Sequence, residues 1–141
     1  MIRGGTRSNV VAAEAVAEID VRFSTEAEAQ QILTTLRQPA PFDERVRVTV
    51  TGGINRPPLE RTAAVAGLFE QARSIALSLG FELGESQVGG ASDGNFLAAM
   101  GIPVLDGLGI SGDGAHAIHE HIEADDIARR GALIGGLLMS V

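Results

Sequence analysis

The sequence predicts two incomplete layers joined by a hinge. An antiparallel α+β piece covers residues 1–52, a linker covers 53–58, and a parallel-sheet α/β piece covers 59–141. Three observations carry this division. Apolar residues in the first part alternate with period two, the mark of strands with one wet face. GGINRPP, at residues 52–58, is a Gly- and Pro-rich break. Beyond it, the strand candidate IPVL at 102–105 is apolar on both faces, as in a parallel sheet covered by helices.

The elements follow in order. AVAEIDVRF, residues 15–23, places Ala17, Ile19, Val21 and Phe23 on one face and Glu18, Asp20 and Arg22 on the other. SNVVA, just upstream, is the candidate first arm of a hairpin into it. TEAEAQQILTTLRQ repeats Ala29, Ile32, Leu33 and Leu36 at helical spacing, and Thr25 with Glu28 forms a capping box. VRVTV, residues 46–50, alternates again, with Val46, Val48 and Val50 on one face. The first part thus reads β-β-α-β.

A long helix is predicted over residues 60–79, with a buried stripe of Val65, Leu68, Phe69, Ala72, Ala76 and Leu79 and with Gly80 placed to end it. VGGASDGNFLAAMG reads as a strand end, a Gly-rich turn, and a short helix capped by Ser92 or Asp93. A last helix is expected near 125–139, with Ile127, Gly131, Ile134 and Leu138 as its stripe. Neither piece is complete. A few strands and one helix leave an unprotected edge, and two short parallel strands make a poor sheet.

Composition excludes several classes. Of 141 residues, 45% are hydrophobic, which supports a folded core. The net charge is −7 with no basic cluster, so a nucleic-acid partner is not expected. No apolar run is long enough to span a bilayer, and no leader pattern opens the chain, so no membrane partner is expected. Cysteine is absent, which removes disulfides and thiolate ligands. These features suit the cytoplasm.

Three stretches could carry chemistry. GDGAHAIHEHIEADD, residues 112–126, holds all three histidines, His116, His119 and His121, among five carboxylates. Their offsets of three and two do not bring all three to one face of a helix or a strand. A closed tetrahedral site from them alone is awkward, and a single solvated histidine in an acidic loop is the plainer reading. VGGASDGN is either a tight strand-to-helix connection or a turn whose glycines let a ligand approach the backbone. Arg22 either pairs with Glu18 or Asp20 or clamps a substrate carboxylate with its planar fork, with Asn9 assisting.

The order of the pieces decides more than any one of them. GGTRSNVV, AEIDVRF, NRPPLE, VGGASDGNFLAAMGIPVLDGLG, and then GDGAH with Glu120 four residues after His116, form a long ordered series. It resembles the C-terminal part of the zinc-dependent aminoacylase and carboxypeptidase family, which includes acetylornithine deacetylase, succinyl-diaminopimelate desuccinylase and glutamate carboxypeptidase. The resemblance implies a catalytic α/β domain with two zinc ions and an inserted antiparallel β-α lid that commonly forms the dimer. Residues 1–52 would be the second half of the lid, and residues 59–141 the C-terminal part of the catalytic domain.

By the same resemblance, His116 is a zinc ligand. Asn9 and Arg22 hold the substrate's free carboxylate, and Gly89 and Gly90 line the pocket. Asp93 in that loop is structural, and Glu120 has no direct role at the metal. The sequence departs from the family pattern at Val11-Ala12-Ala13, at Ala117, and at His119 and His121. The family's first zinc-binding histidine, bridging aspartate, acidic ligands and general-base glutamate have no counterpart here. The expectation is therefore a fragment of an enzyme that cleaves an amide next to a free carboxylate, with an N-acyl amino acid or peptide as substrate. The chain alone would be inactive, and a homodimer or larger assembly is expected, with strand 15–23 or 46–50 pairing across the interface. The alternative is a non-catalytic binding or assembly module that keeps the lid's association surface.

Overall fold

The computed structural model describes residues 1–140. It is a small α+β arrangement in the order β1 (Ile2–Gly4), β2 (Ala15–Ala17), α1 (Glu26–Leu36), α2 (Ala63–Ser78), α3 (Gly94–Ala99), β3 (Gly112–Asp113), β4 (His121–Ile122) and α4 (Asp126–Met139). The helices begin and end where local chemistry directs. Thr25 and Glu28 close the capping box of α1. The Thr62 hydroxyl caps α2 by accepting the Val65 N–H. Gly80, at φ 85°, ends α2 in a Schellman turn, in which Phe81 N–H reaches the Ala76 carbonyl and Gly80 N–H reaches that of Leu77. Gly101, at φ 82°, ends α3 in the same way through Ile102 and Leu97.

The core lies where α2 crosses α4. Ala72, Ala76 and Leu133 are fully buried there, and Ile75, Phe81, Leu83, Leu105, Leu108 and Leu137 pack against them. The helices approach closely because α4 carries glycine at the crossing: a Cβ on Gly136 would stand 2.7 Å from Ile75 Cγ2. This corrects the expected stripe of α4. Ile127, Ile134 and Leu138 are exposed, while Leu133 is buried and Leu137 half-buried. Both faces of this helix are apolar, so periodicity alone could not choose between them; the Gly136 contact chooses. In α2 the expected stripe is buried or half-buried except for Leu79, which lies beyond the last turn and is 45% exposed.

The strands are shorter and differently paired than expected. Among the described residues, both ladders are antiparallel and two-stranded. β1 pairs with β2 in the register Ile2↔Ala17, Arg3↔Val16, Gly4↔Ala15. The hairpin arm is therefore residues 2–4 and not SNVVA, and the ladder stops at Ala17 well short of Phe23. Residues 46–50 and 102–105 are extended but join no ladder, so the expected parallel sheet is not formed among the described residues. A segment becomes a strand only beside a partner backbone, and neither has a ladder partner among the described residues. Val104 and Leu105 still turn inward, and Leu105 packs on the core.

The accessible surface, 11197 Å², far exceeds the ~6,900 Å² of a compact monomer of 14.6 kDa. Much of it is apolar, including Val46, Val48, Val50, Phe42 and Ile118. No helix among the described residues is long and apolar enough to cross a membrane.

Candidate functional site

An open cleft of about 1610 Å³ runs between residues 12–24 and 45–53, with Ala29, Ile32, Leu33 and Leu36 of α1 along it and the Gly-rich turn at one end. Alternation in residues 21–23 half-buries Val21 and Phe23 and leaves Arg22 exposed. The Arg22 guanidinium reaches across the cleft and donates to the Gly89 carbonyl at 3.2 Å. Two residues 67 positions apart are thus brought together. The approach is tight: a Cβ on Gly89 would lie 2.9 Å from Arg22 Cδ, so a larger residue would displace the arginine stem. Asp20 stands 3.9 Å from Arg22 Nε, too far for a hydrogen bond. Most of the fork's five donors are left available to a carboxylate.

The Gly-rich turn is held from behind. Asn95 is buried; its side chain accepts the Ser92 N–H at 2.9 Å and donates to the Pro57 carbonyl at 2.8 Å. The Ser92 hydroxyl accepts the Gly94 N–H at 3.1 Å, while Asp93, the N-cap residue of α3, makes no capping bond with its side chain. Asp93 instead pairs with Arg56 at 3.3 Å, and Arg56 stacks over Phe96. Arg56 and Asn95 were not foreseen from the sequence. Their partners lie 37 and 38 positions away, and no periodicity reports a contact at that range.

The histidine stretch is a hairpin. β3 pairs with β4 in the register Gly112↔Ile122, Asp113↔His121, and the turn between them carries His116 and His119. His116 sits at φ 67°, where the other residues of positive φ are all glycines. A left-handed conformation costs an L-residue roughly 1–2 kcal/mol, and such strain collects at functional positions. The surroundings hold it there: the Glu120 carboxylate accepts the His116 N–H at 3.3 Å, and Ala117 N–H bonds to the Gly114 carbonyl at 2.8 Å. The imidazole is left exposed. His119 lies instead over Gly114, where a Cβ would touch its ring, and His121 Nδ1 faces the His119 carbonyl at 3.1 Å.

The base of the hairpin is tied to α4. The Asp126 carboxylate accepts the Ser111 N–H at 3.0 Å and Arg130 Nε at 2.9 Å, and Arg130 also donates to the Ser111 hydroxyl. The Ser111 hydroxyl first, then the Arg130 guanidinium and the Ser111 N–H, hold the Asp126 carboxyl down to about 2. It is therefore ionised throughout the range in which the protein would work.

The structure brings Arg22, Gly89 and Gly90 to one cleft. It does not bring Asn9 or His116 to that lining: Asn9 is exposed in the turn between β1 and β2, and His116 lies on the hairpin. Among the described residues no three His, Asp or Glu side chains converge into a metal-binding group. His116 fits as a single imidazole donor, and the described residues do not form a closed zinc site.

Residues 2–140 match the family model described as peptidase family M20/M25/M40. The chain belongs to this family. It is 29% identical over 145 residues to carboxypeptidase G2 of Pseudomonas sp. (strain RS-16), a match covering 99% of this chain and 34% of that protein. Succinyl-diaminopimelate desuccinylase of Pseudoalteromonas atlantica is 30% identical over 141 residues, covering 97% of this chain and 36% of the relative. The same enzyme of Leptothrix cholodnii is 32% identical over 126 residues, covering 86% and 31%. The chain thus spans about a third of the length of these M20 relatives. No solved structure matches it significantly.

Replacing His116 by Gly is expected to stabilise the fold by about 1 kcal/mol, because glycine adopts φ 67° freely. Thermal denaturation of the variant beside the parent reads this directly.

Proposed function

We propose that this chain provides the carboxylate-gripping and last-ligand portion of a metal-dependent exopeptidase or amidohydrolase that cleaves an amide next to a free carboxylate. The observation that carries the reading is the Arg22–Gly89 bridge. It sets a half-free guanidinium fork beside a turn that admits close approach, on a chain whose relatives are named as a carboxypeptidase and as desuccinylases. Arg22 grips the substrate carboxylate by two parallel N–H donors, and Gly89 and Gly90 let the acyl chain lie against the backbone. A bound zinc pair, as in the family pattern, would supply polarisation of the amide carbonyl and activation of water. His116 contributes one imidazole to it, positioned by Glu120 through the backbone N–H. Residues 1–52 act as part of a lid and dimerisation domain, and residues 59–141 as part of the catalytic domain.

The isolated chain should then show no zinc-dependent hydrolysis of N-acyl amino acids. The test is amide turnover of the pure protein with added zinc, beside His116→Ala. Turnover that His116→Ala abolishes would show that the described residues suffice, and would overturn this reading. The surface excess favours association as part of the same reading. Light scattering over a dilution series should give a mass of two chains or more at micromolar concentration, whereas a compact monomer would count against it.

A further inference from the structure

The hairpin that carries His116 is fastened to the body of the chain at its base. β3 and β4 share two ladder pairs, and the Glu123 N–H donates to the Ser111 carbonyl at 2.8 Å just below them. A two-stranded ladder this short does not hold itself in water. The fastening is a buried charge. Asp126 is the one buried carboxylate among the described residues. A carboxylate out of water is costly unless its lone pairs are met. Here they are met by the Ser111 N–H and the Arg130 guanidinium, and Arg130 closes the ring by donating to the Ser111 hydroxyl at 3.1 Å. Asp126 opens α4, and α4 is fixed against α2 by Leu133 and by the close approach at Gly136. Contacts thus run without a break from the core through α4 and Asp126 to Ser111, at the foot of the hairpin. The lever above that point is long. The strand from Ser111 to Gly114 spans about 10 Å at ~3.3 Å per residue, so a tilt of about 10° at the base moves the turn by nearly ~2 Å. A metal–ligand distance is tolerated to about 0.2 Å.

We propose that Asp126 is a positioning residue for His116: its buried carboxylate, held by Arg130, fixes the base of the hairpin through Ser111 and so sets where the imidazole stands. That the placement serves a metal rests on the hydrolase reading. The helix itself does not call for this carboxylate to be buried. An acid in the first turn favours the helix dipole, but an exposed one does so without the cost of leaving water. Asp125, the N-cap residue, is such an acid, and its side chain makes no capping bond. The burial of Asp126 against Ser111 serves the hairpin.

The test uses the full chain without zinc or substrate, so it is read apart from the turnover assay that tests the hydrolase reading. Amide exchange and nuclear magnetic resonance of His116 are compared in the parent, Asp126→Ala, Asp126→Asn and Asp125→Ala. Asp126→Ala should speed exchange at Asp113, His121 and Glu123 about tenfold or more, the effect of losing a charge-assisted hydrogen bond. The core amides of Ala72, Ala76 and Leu133 should change less than about twofold, since local opening leaves the global unit intact. The backbone coupling of His116 should show φ averaged away from 67°. Asp126→Asn keeps an acceptor oxygen but not the charge and should fall between, while Asp125→Ala should resemble the parent. Where Asp126→Ala does not fold, Asp126→Asn is read by the same criterion. Unchanged exchange in the hairpin would overturn the proposal. So would an equal effect from Asp125→Ala, or core amides speeding up by the same factor as the hairpin, which would make Asp126 a support of the whole fold.

Discussion

Replacing Leu133 by Ala is expected to cost about 2–5 kcal/mol, the range for emptying a buried leucine site. Native domains are held by only about 5–15 kcal/mol, so this is a large share of such a margin. Leu133 is the largest side chain fully out of water, and its neighbours in the cluster, Ala72 and Ala76, are themselves small. They have no longer side chain to turn into the cavity, and Gly136 already holds the helices at their closest approach. Relaxation can therefore recover little. Urea denaturation followed by far-UV circular dichroism should show the midpoint falling steeply, or the folded baseline vanishing. A loss under 1 kcal/mol would mean that the α2–α4 crossing is not the core. The exposed Leu138 supplies the contrast, since Leu138→Ala touches no buried contact and should move the midpoint little.

Gly112→Ala is expected to detach β3 from β4 and to cost about 1–3 kcal/mol, the range for overpacking. The added Cβ would collide with the His121 carbonyl oxygen and lie 3.1 Å from Ile122 Cα. Both are backbone atoms of the partner strand, so no rotamer change can relieve the clash. The two ladder pairs are the only strand contacts that position the turn, and their loss should release His116 from its left-handed conformation. Nuclear magnetic resonance of the imidazole, with exchange rates for Asp113 and His121, reads this locally. Unchanged protection at those amides would show that the hairpin is held by the Ser111–Asp126–Arg130 cluster alone.

What the sequence by itself determined is whatever depends on neighbours a few residues apart. The capping box of Thr25 and Glu28, the stop at Gly80, the short helix after the Gly-rich turn and most of the buried stripe of α2 were legible because a helix satisfies its own backbone. The ordered series from GGTRSNVV to GDGAH likewise marks the family, and Arg22 and Gly89 stand out within it without reference to their contact. Tertiary structure alone decided the rest. Val46, Val48 and Val50 alternate as a strand should, yet no ladder forms there, because alternation says that a face is suited to burial and not that a partner backbone is present. IPVL is apolar on both faces and still joins no ladder among the described residues. α4 offers two apolar faces, and only the contact of Gly136 with Ile75 selected the one that carries Leu133. The hairpin that presents His116, the Arg22–Gly89 bridge and the open cleft all join residues distant in the chain. Such contacts depend on how the whole backbone is placed, and no local spacing encodes that placement.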